Sequence, residues 1–276
     1  MLDVVELLAR SGDARLRYSD VARELRLTQA TAHAILKTLC DRGWVSRDPV
    51  SKTFALGPAL AVVAARTEVA RPLAHSARAA VLAVSAELGY PGSVVERFGD
   101  SLVITAFEGA DATEPSGLPG DRIPYAPPFG VAFAAWDTPE GQREWIRRGA
   151  GCDRERTQRL EGVLARTRQR GFDVDCTTPA LAQAAQLVGA LQGDEMPASV
   201  RQLMDQLFVE FTTSGGFFED DTGDAALPVV TIAAPVFDHR GRVGPIVAVH
   251  PLRALTRQQI QTVGERVAAA AARVSR

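Results

Sequence analysis

The sequence predicts an α+β protein built in two parts, a small helical unit followed by a larger unit that mixes strands and helices. Two closely spaced helical patterns precede a strand hairpin near the N-terminus. Farther along the chain, paired strand segments alternate with longer helical patterns. With 276 residues, of which 46% are hydrophobic and 23% charged, the chain has enough apolar material for two ordered domains.

Only two residues, Arg26 and Leu27, separate the first pair of helical patterns. Ser19 and Thr28 are each placed to cap a helix N-terminus with a hydroxyl. A connection this short makes the two helices cross steeply, as in a helix-turn-helix. On the second helix, the apolar residues that recur at helical spacing and are expected to face a core are Ala32, Ile35, Leu36 and Leu39.

The opposite side of the second helix is small, polar and weakly basic, which suits insertion into the major groove of DNA. The residues of this helix and its cap that are predicted to bind DNA are Thr28, Gln29, Ala30, Thr31, His33 and Lys37. A helical hairpin inside an ordinary core is the alternative interpretation, because the pattern alone has low specificity.

A short hairpin follows the second helix. Residues 44–45 and 54–56 have strand-forming side chains, and residues 48–51 (Asp-Pro-Val-Ser) are typical of the turn between them. Arg47 and Lys52 flank this turn. A hairpin with basic residues at its tip can act as a wing that contacts DNA phosphates, so both residues are predicted to bind DNA.

These segments resemble those of the IclR-type transcriptional regulators, the isocitrate lyase regulator family. In the N-terminal part, the similar segments are 2–8, 31–39, 43–48 and 54–57. The resemblance resumes at residues 171–173, at 232–238 and in the C-terminal helix. It therefore covers both ends of the chain well and the middle loosely.

The resemblance implies a winged helix-turn-helix DNA-binding domain at residues 1–57, a linker helix at 58–72 and a GAF-like effector-binding and oligomerisation domain at 73–276. It further implies a sequence-specific transcriptional regulator that binds a palindromic double-stranded DNA operator as a homodimer or tetramer. A small-molecule effector would control this binding, and repression and activation are both compatible with the resemblance.

Periodicity and turn residues predict the remaining elements. Residues 59–70 form a helical run that is apolar on all sides and therefore needs cover from more than one direction. A Gly99-Asp100 turn joins two predicted strands, and Thr256 caps a last helix that ends near Ala272. The other predicted elements are a helix at 73–88, strands at 93–98, 102–107, 229–236 and 243–249, and helices at 138–149 and 157–170.

Residues 123–133 align with the family segment that leads into a pocket-lining helix. Where the family usually has a small hydroxyl residue and a Gly-Lys pair, this chain has Pro127-Pro128-Phe129 and Gly130-Val131. The missing lysine and added aromatics predict a small apolar or aromatic effector, with the Tyr125 hydroxyl as its polar contact. The expected effector-binding residues are Tyr125, Phe129, Gly130, Val131, Cys176, Ala233 and Ala234. Plain core packing is the alternative, especially for Phe133.

The largest departure from the family is a helical insertion at about 177–228. Two amphipathic helices are predicted within it, at 179–191 and 198–211, with an apolar stripe formed by Leu203, Leu207 and Phe211. Core packing or an oligomer contact is one interpretation of the stripe. A lid over the effector pocket is the other.

The sequence contains no arrangement expected of an enzyme, a metal site or a bound cofactor. The four histidines lie far apart, and neither a Gly-x-Ser-x-Gly elbow nor a phosphate-binding glycine loop is present. The acidic run 219–221 is typical of a solvated loop and lacks the alternating oxygen ligands of a calcium site. We therefore expect no catalysis, no metal and no cofactor.

Cysteine usage and hydropathy predict a cytoplasmic protein. Cys40, Cys152 and Cys176 share no metal or disulfide spacing, which indicates reduced thiols. No apolar run is long enough to cross a bilayer, and the N-terminus begins with an acidic amphipathic helix rather than a signal peptide. The net charge is −2, whereas residues 1–58 carry nine basic and seven acidic side chains, an excess of about +2 where DNA binding is expected.

A rival hypothesis is a regulator-like ligand sensor or scaffold that has lost specific DNA binding. It is motivated by Ala34, where the family often has arginine, and by the small basic excess. A hydrolase or transferase on the second domain is a third hypothesis, with no motif to support it. Salt-dependent retention on DNA separates the first hypothesis from the other two.

Overall fold

The computed structural model describes residues 1–11, 15–109, 119–176, 217–218 and 226–275. The chain divides into two compact units, Met1–Pro72 and Leu73–Arg276. The helices predicted at 179–191 and 198–211 and the acidic run at 219–221 lie outside the described residues. No helix in the described ranges combines the length and apolar character that crossing a membrane requires.

The first unit packs helices against a small antiparallel sheet with strand order β1-β3-β2. Its elements are α1 (Leu2–Arg10), β1 (Leu16–Arg17), α2 (Tyr18–Glu24), α3 (Gln29–Asp41), β2 (Val45–Arg47), β3 (Thr53–Leu56) and α4 (Ala59–Ala70). Its core consists of Val4, Leu8, Val21, Leu36, Leu39, Val45 and Phe54. Helices α2 and α3 with the β2–β3 hairpin confirm the predicted winged helix-turn-helix.

The start of α3 follows its predicted cap. Thr28 has extended backbone, and its Oγ1 accepts a hydrogen bond from the Thr31 backbone N–H at 3.1 Å. Ala32 and Leu36 are buried on the inner side of the helix as expected, whereas Ile35 is only partly buried. The local pattern therefore located both the beginning of α3 and its core-facing side.

The predicted Ser19 cap is wrong, because α2 begins one residue before it, at Tyr18. Arg17 is paired with Thr53 in the sheet, which keeps its backbone extended. The Arg17 N–H donates to the Asp20 carboxylate at 2.9 Å. Sheet pairing and Asp20 together set the start of α2, and neither signal is contained in the helix pattern alone.

Helix α4 exposes apolar side chains, as its composition predicted. Val62, Val63 and Val69 are 59%, 44% and 84% exposed, respectively. Three exposed valines are unusual for a helix of 12 residues that has no further partner. Residues 62 and 69 are separated by about two turns and lie on the same side of the helix.

The second unit is built on a six-stranded antiparallel sheet of order β6-β5-β4-β10-β9-β7, with a separate β11-β8 pair. Its helices are α5 (Pro72–Leu88), α6 (Val131–Ala134), α7 (Pro139–Ala150), α8 (Arg154–Arg170) and α9 (Arg257–Val274). Its strands are β4 (Gly92–Phe98), β5 (Ser101–Glu108), β6 (Arg122–Pro124), β7 (Asp173–Asp175), β8 (Leu227–Val229), β9 (Thr231–Phe237), β10 (Val243–Val249) and β11 (Arg253–Leu255).

This sheet has a helical layer on each side, because successive strand residues point to opposite faces. On one face, α5 and α9 cover a cluster that includes Val94, Ile232 and Val247. On the other, the segment around α6 and helices α7 and α8 cover a cluster that includes Ile246 and Ala248. The α+β prediction is confirmed, and the second face contains the cavity described below.

Side-chain caps define the starts of α7, α8 and α9. Thr256 forms the predicted cap of α9 and is part of a capping box with Gln259. The helix predicted to begin at residue 157 starts at Arg154 instead, because the Asp153 carboxylate accepts the Arg156 N–H at 3.1 Å. Six short elements were not predicted from the sequence, because they are two to four residues long and too short to show a period: β1, β6, β7, β8, β11 and α6.

Candidate functional site

The predicted DNA-contacting residues at the start of α3 lie together on its solvent side. Thr28, Gln29, Ala30, Thr31 and His33 are all exposed. The Thr28 and Thr31 hydroxyls are 2.8 Å apart, so part of their hydrogen-bonding capacity is used between them. This end of α3 is polar and solvent-exposed, as is required of a helix that enters the major groove of DNA.

Tyr18 and Lys37 modify that surface. The Tyr18 hydroxyl donates to Gln29 Oε1 at 3.4 Å, which leaves the Gln29 amide NH₂ free to point outward. Lys37 Nζ lies 2.6 Å from the Asp41 carboxylate, and this hydrogen bond raises the pKa of Lys37. A DNA phosphate near Lys37 would compete with Asp41, so Lys37 is the weakest member of the predicted DNA-binding set.

Asp48 shapes the wing, defined as residues 45–56. Its carboxylate accepts the Val50 and Ser51 backbone N–H groups at 2.8 and 3.0 Å, and these bonds lower the pKa of Asp48. Arg15 lies 3.4 Å from the same carboxylate. The turn is therefore organised by one side chain rather than by the Pro49 ring alone.

The two basic wing residues are exposed beside that turn. Lys52 has a φ of 62°, in the left-handed region that non-glycine residues rarely adopt, and its side chain is exposed. The Arg47 guanidinium lies 5.8 Å from the centre of the Phe54 ring, which is itself buried in the core. The side chains of Arg47 and Lys52 are thus both exposed to solvent on a wing whose turn is fixed by hydrogen bonds.

A cavity of about 120 Å³ lies in the second unit, between the sheet and the segment around α6. Among the described residues, its apolar lining consists of Val95, Leu102, Ile104, Ile123, Pro128, Phe129, Gly130, Ala132, Phe133, Val230, Ala233, Ile246 and Ala248. Its polar lining consists of Ser93, Asp173, Asp175, Thr231 and His250. An apolar cavity with a few grouped polar side chains is the usual form of a small-molecule site.

Strand alternation explains which side chains line the cavity. In β9, Thr231 and Ala233 face it, while Ala234 faces the opposite cluster with α5 and α9. In β7, Asp173 and Asp175 are paired with Ala233 and Thr231, respectively, and so share their face. Sheet pairing therefore collects polar residues that are far apart in the sequence.

The cavity includes three of the seven predicted effector-binding residues, Phe129, Gly130 and Ala233. Among the described residues, the lining does not contain Tyr125, Val131, Cys176 or Ala234. Val131 is buried in the cluster beneath α6, whereas Cys176 packs beside the α5–α9 cluster. Burial raises the pKa of the Cys176 thiol to about 12.

Tyr125 supports the cavity wall from behind. Gly130 has a φ of 82°, and a Cβ there would lie 2.7 Å from Tyr125 Cδ2. The Arg97 guanidinium lies 3.9 Å from the centre of the Tyr125 ring and forms an ion pair with Asp137 at 2.8 Å. Burial of the ring raises the pKa of the phenol. Only glycine at position 130 allows this close approach.

A neutral histidine organises the polar end of the cavity. His250 Nε2 lies 2.9 Å from Ser93 Oγ, and Nδ1 lies 3.1 Å from Thr231 Oγ1. The ring stacks on Phe107 with 5.6 Å between centroids and an interplanar angle of 12°. Burial lowers the pKa of His250 to about 4, so the imidazole is uncharged near neutral pH.

Asp173 is the second titratable group of note at this end. Burial raises its pKa to about 7, the nearby Asp175 carboxylate adds to the rise, and Arg170 opposes it. No role in ligand binding was predicted from the sequence for Ser93, Thr231, His250 or either aspartate. Strand alternation was the sequence signal that could have placed some of them on the cavity face, from Ser93 to Val95, from Thr231 to Ala233, and from Ile246 through Ala248 to His250. In the described ranges, no group of three or more His, Cys, Asp or Glu residues is placed to hold a metal ion.

Comparisons with known proteins point to one family. Residues 1–49 match the family profile described as the IclR helix-turn-helix domain. The glycerol operon regulatory protein of Streptomyces coelicolor is 28% identical over 182 residues, which cover 62% of this chain and 69% of that protein.

Solved structures with the same fold extend over nearly the whole chain. An IclR transcriptional regulator from Alicyclobacillus acidocaldarius has a TM-score of 0.66 at 20% identity, covering 99% of this chain and 95% of that one. Pseudomonas aeruginosa HmgR has a TM-score of 0.64 at 18% identity with the same coverage. An IclR homologue from Microbacterium hydrocarbonoxydans, crystallised with 4-hydroxybenzoate, has a TM-score of 0.63 at 18% identity, covering 99% and 97%.

Proposed function

We propose that this chain binds a DNA operator through α3 and the wing. The premise is that the chain belongs to the IclR family of transcriptional regulators. The observation that carries the proposal is the exposed polar start of α3 within the segment that matches the IclR helix-turn-helix profile. In this arrangement, Gln29, Thr31 and His33 contact base edges in the major groove. Arg47 and Lys52 contact phosphates, which orient the domain without reading sequence.

The test begins with selection of an operator from a randomised DNA library and titration of that operator by fluorescence anisotropy. Replacing both Gln29 and His33 with alanine is expected to weaken the free energy of operator binding by about 1–3 kcal/mol for each base interaction that is lost. The variant should also discriminate less between bases at the contacted positions. Lys52→Ala is expected to weaken binding to all sequences alike and to lower the salt slope by about one.

Gln261→Ala, on an exposed position of α9, is the matched control and should leave operator affinity unchanged. Full operator affinity in the Gln29→Ala/His33→Ala variant would show that the assigned helix face is wrong.

The rival hypothesis of a ligand sensor without DNA binding draws support from exposed Ala34 and from the Asp41 carboxylate that engages Lys37. Wild-type protein that is not retained on DNA at low salt would favour that rival.

We further propose that the chain assembles as a homodimer through the exposed apolar side of α4, and that effector-binding domains join dimers into tetramers. Symmetric pairing would place two copies of α3 on a palindromic operator. Val62, Val63 and Val69 supply the apolar surface for the dimer contact. Burying them against a partner would remove apolar area from water.

Val62→Asp/Val69→Asp is expected to remove the α4 contact, because it places two charges on one side of α4. A wild-type dimer would become a monomer, and a wild-type tetramer would become a dimer joined through the effector-binding domains. Operator affinity should fall about a hundredfold, because the two half-sites are no longer bound by linked domains. Light scattering at micromolar concentration measures the change. Val50→Asp changes an 89% exposed valine at the wing tip and should keep the wild-type oligomer. A monomeric wild-type protein would contradict the proposal.

The cavity in the second unit is the proposed effector site. The Microbacterium homologue crystallised with 4-hydroxybenzoate supports control by a small molecule of about one ring. If the effector alters operator affinity, the coupling should be about 1–3 kcal/mol, and operator should alter effector affinity by the same factor. All three cysteines are unpaired, which supports a reducing, cytoplasmic setting for this regulation.

A further inference from the structure

The polar end of the cavity is rich in hydrogen-bond acceptors and poor in donors. Asp173 and Asp175 contribute carboxylates, and among the described residues the lining contains no lysine or arginine. Arg170 is the cation that acts on Asp173, and it lies outside the described lining. A ligand that reaches this end therefore meets groups that favour a donor over an acceptor.

The hydrogen bonds of His250 also indicate that this end of the cavity offers a ligand few donors. A neutral imidazole has one N–H and one acceptor nitrogen. Of its two hydroxyl partners, Ser93 and Thr231, one therefore accepts from the ring and keeps its O–H, while the other donates to the ring and keeps only lone pairs. The hydroxyl pair thus offers a ligand a single donor.

The two aspartates lie two residues apart on the cavity face of β7. The burial of Asp173 and, to a smaller extent, its repulsion by Asp175 disfavour the charged form of Asp173, and Arg170 opposes both effects. A bound cation would reduce this repulsion and stabilise the carboxylate. A bound carboxylate would add a third negative group and would lack a described cation in the lining to pair with it.

The size of the cavity limits the rest of the ligand. At about 120 Å³, the cavity is somewhat smaller than the engineered cavity of about 150 Å³ that accommodates benzene. Val95, Ile104 and Phe129 are among the apolar side chains that surround this volume. The enclosed part of a ligand is therefore close to one small ring or a branched alkyl group.

We propose that the cavity takes a small primary amine, with a compact apolar body against Val95, Ile104 and Phe129 and an ammonium group toward Asp173 and the Ser93–Thr231 pair. This inference rests on the proposed effector function and specifies the chemistry of its ligand. Hydrogen bonds from the ammonium group would use the acceptors at this end, and the charge would pair with Asp173.

Benzylamine, benzyl alcohol and benzoate form a matched set of probes that differ mainly in the charge of the head group. Calorimetry on the full chain at about pH 8 should show benzylamine binding at least about tenfold more tightly than benzyl alcohol, with benzoate the weakest. Asp173→Asn should reduce benzylamine affinity about tenfold and leave benzyl alcohol affinity nearly unchanged. Glu140→Gln, at an exposed carboxylate of α7, is the control and should change neither value.

The wild-type protein provides a second test that does not depend on a variant folding. Because the pKa of Asp173 is about 7, benzylamine affinity should rise about tenfold between about pH 6 and pH 8 as the carboxylate ionises. Asp175 and Arg170 act on this titration. Cys176 and His250 remain uncharged over the range, because their pKa values are about 12 and about 4, respectively. Benzylamine stays protonated throughout, and benzyl alcohol affinity should be flat.

Benzoate binding as tight as benzylamine binding would overturn the proposal. So would failure of all three probes to bind, or benzylamine affinity that depends on neither Asp173 nor pH. Operator titrations with and without benzylamine separate this inference from the proposed function. Benzylamine that binds without changing operator affinity would overturn the effector role while supporting the ligand chemistry.

Discussion

Gly264→Ala is expected to lower the free energy of unfolding of the second unit by about 3 kcal/mol. Gly264 lies within α9, where alanine normally stabilises a helix relative to glycine. Here a Cβ would overlap the Phe172 ring, whose Cδ2 lies 2.5 Å from the Cβ position. Phe172 is fully buried, so its ring has no open space into which it can move.

A matched helix glycine isolates this steric effect. Gly162 lies within α8, and a Cβ there would first meet Arg166 Nη1, the end of a flexible side chain, at 3.0 Å. Gly162→Ala should therefore be neutral or stabilising by about 0.5–1 kcal/mol, because only the helix preference changes. Urea denaturation followed by far-UV circular dichroism measures both variants.

A second substitution checks the cause. Phe172→Leu in the Gly264→Ala background should restore part of the missing stability, because the smaller side chain leaves room for the new methyl group. Gly264→Ala protein as stable as the wild type would show that α9 can shift away from Phe172 without cost. Independent effects of the two substitutions would show that they do not share one contact.

Gly130→Ala is expected to reduce stability by about 2–3 kcal/mol and to weaken ligand binding in the cavity at least tenfold. Two effects add at this position. The φ of 82° is strained for alanine, and the new Cβ would lie 2.7 Å from Tyr125 Cδ2 and 3.2 Å from Leu102 Cδ1. Leu102 lines the cavity, so relief of the clash moves the wall against which a ligand rests.

Gly171 separates backbone strain from steric overlap, because its φ is 83° and nothing lies within 4 Å of a Cβ there. Gly171→Ala should therefore lower the free energy of unfolding by about 1–2 kcal/mol, because only backbone strain is introduced. Ligand binding should be unchanged. Chemical denaturation and calorimetry with benzylamine give the two readouts. Equal effects of Gly130→Ala and Gly171→Ala on stability and binding would mean that the Tyr125 contact does not shape the cavity.

Features that depend on neighbouring residues were predictable from the sequence. Thr28 and Thr256 cap their helices as expected, since a cap uses a hydroxyl and an N–H three residues later. The Gly99-Asp100 turn joins β4 to β5, and the inner side of α3 follows its apolar spacing. The Ser19 cap failed because pairing of Arg17 with distant Thr53 set the start of α2.

The residues that line the cavity were predicted only in part from the sequence pattern and the family resemblance. Ala233 and Ala234 were both expected at the ligand, but adjacent strand residues face opposite sides of a sheet, and only Ala233 lines the cavity. Tyr125 was expected to contact the ligand directly. It lies behind Gly130 instead, because the left-handed backbone at that glycine brings the chain onto its ring.

The sequence by itself determined the caps at Thr28 and Thr256, the winged helix-turn-helix, the α+β class and the family resemblance, because each depends on local spacing or on the order of motifs. Only the tertiary structure decided the chemistry of the cavity. Ser93 and His250 are 157 residues apart, yet their side chains are 2.9 Å apart because β4 pairs with β10. Asp173 joins them through β7 and β9, since the sheet order rather than the sequence interval sets which polar groups share one face.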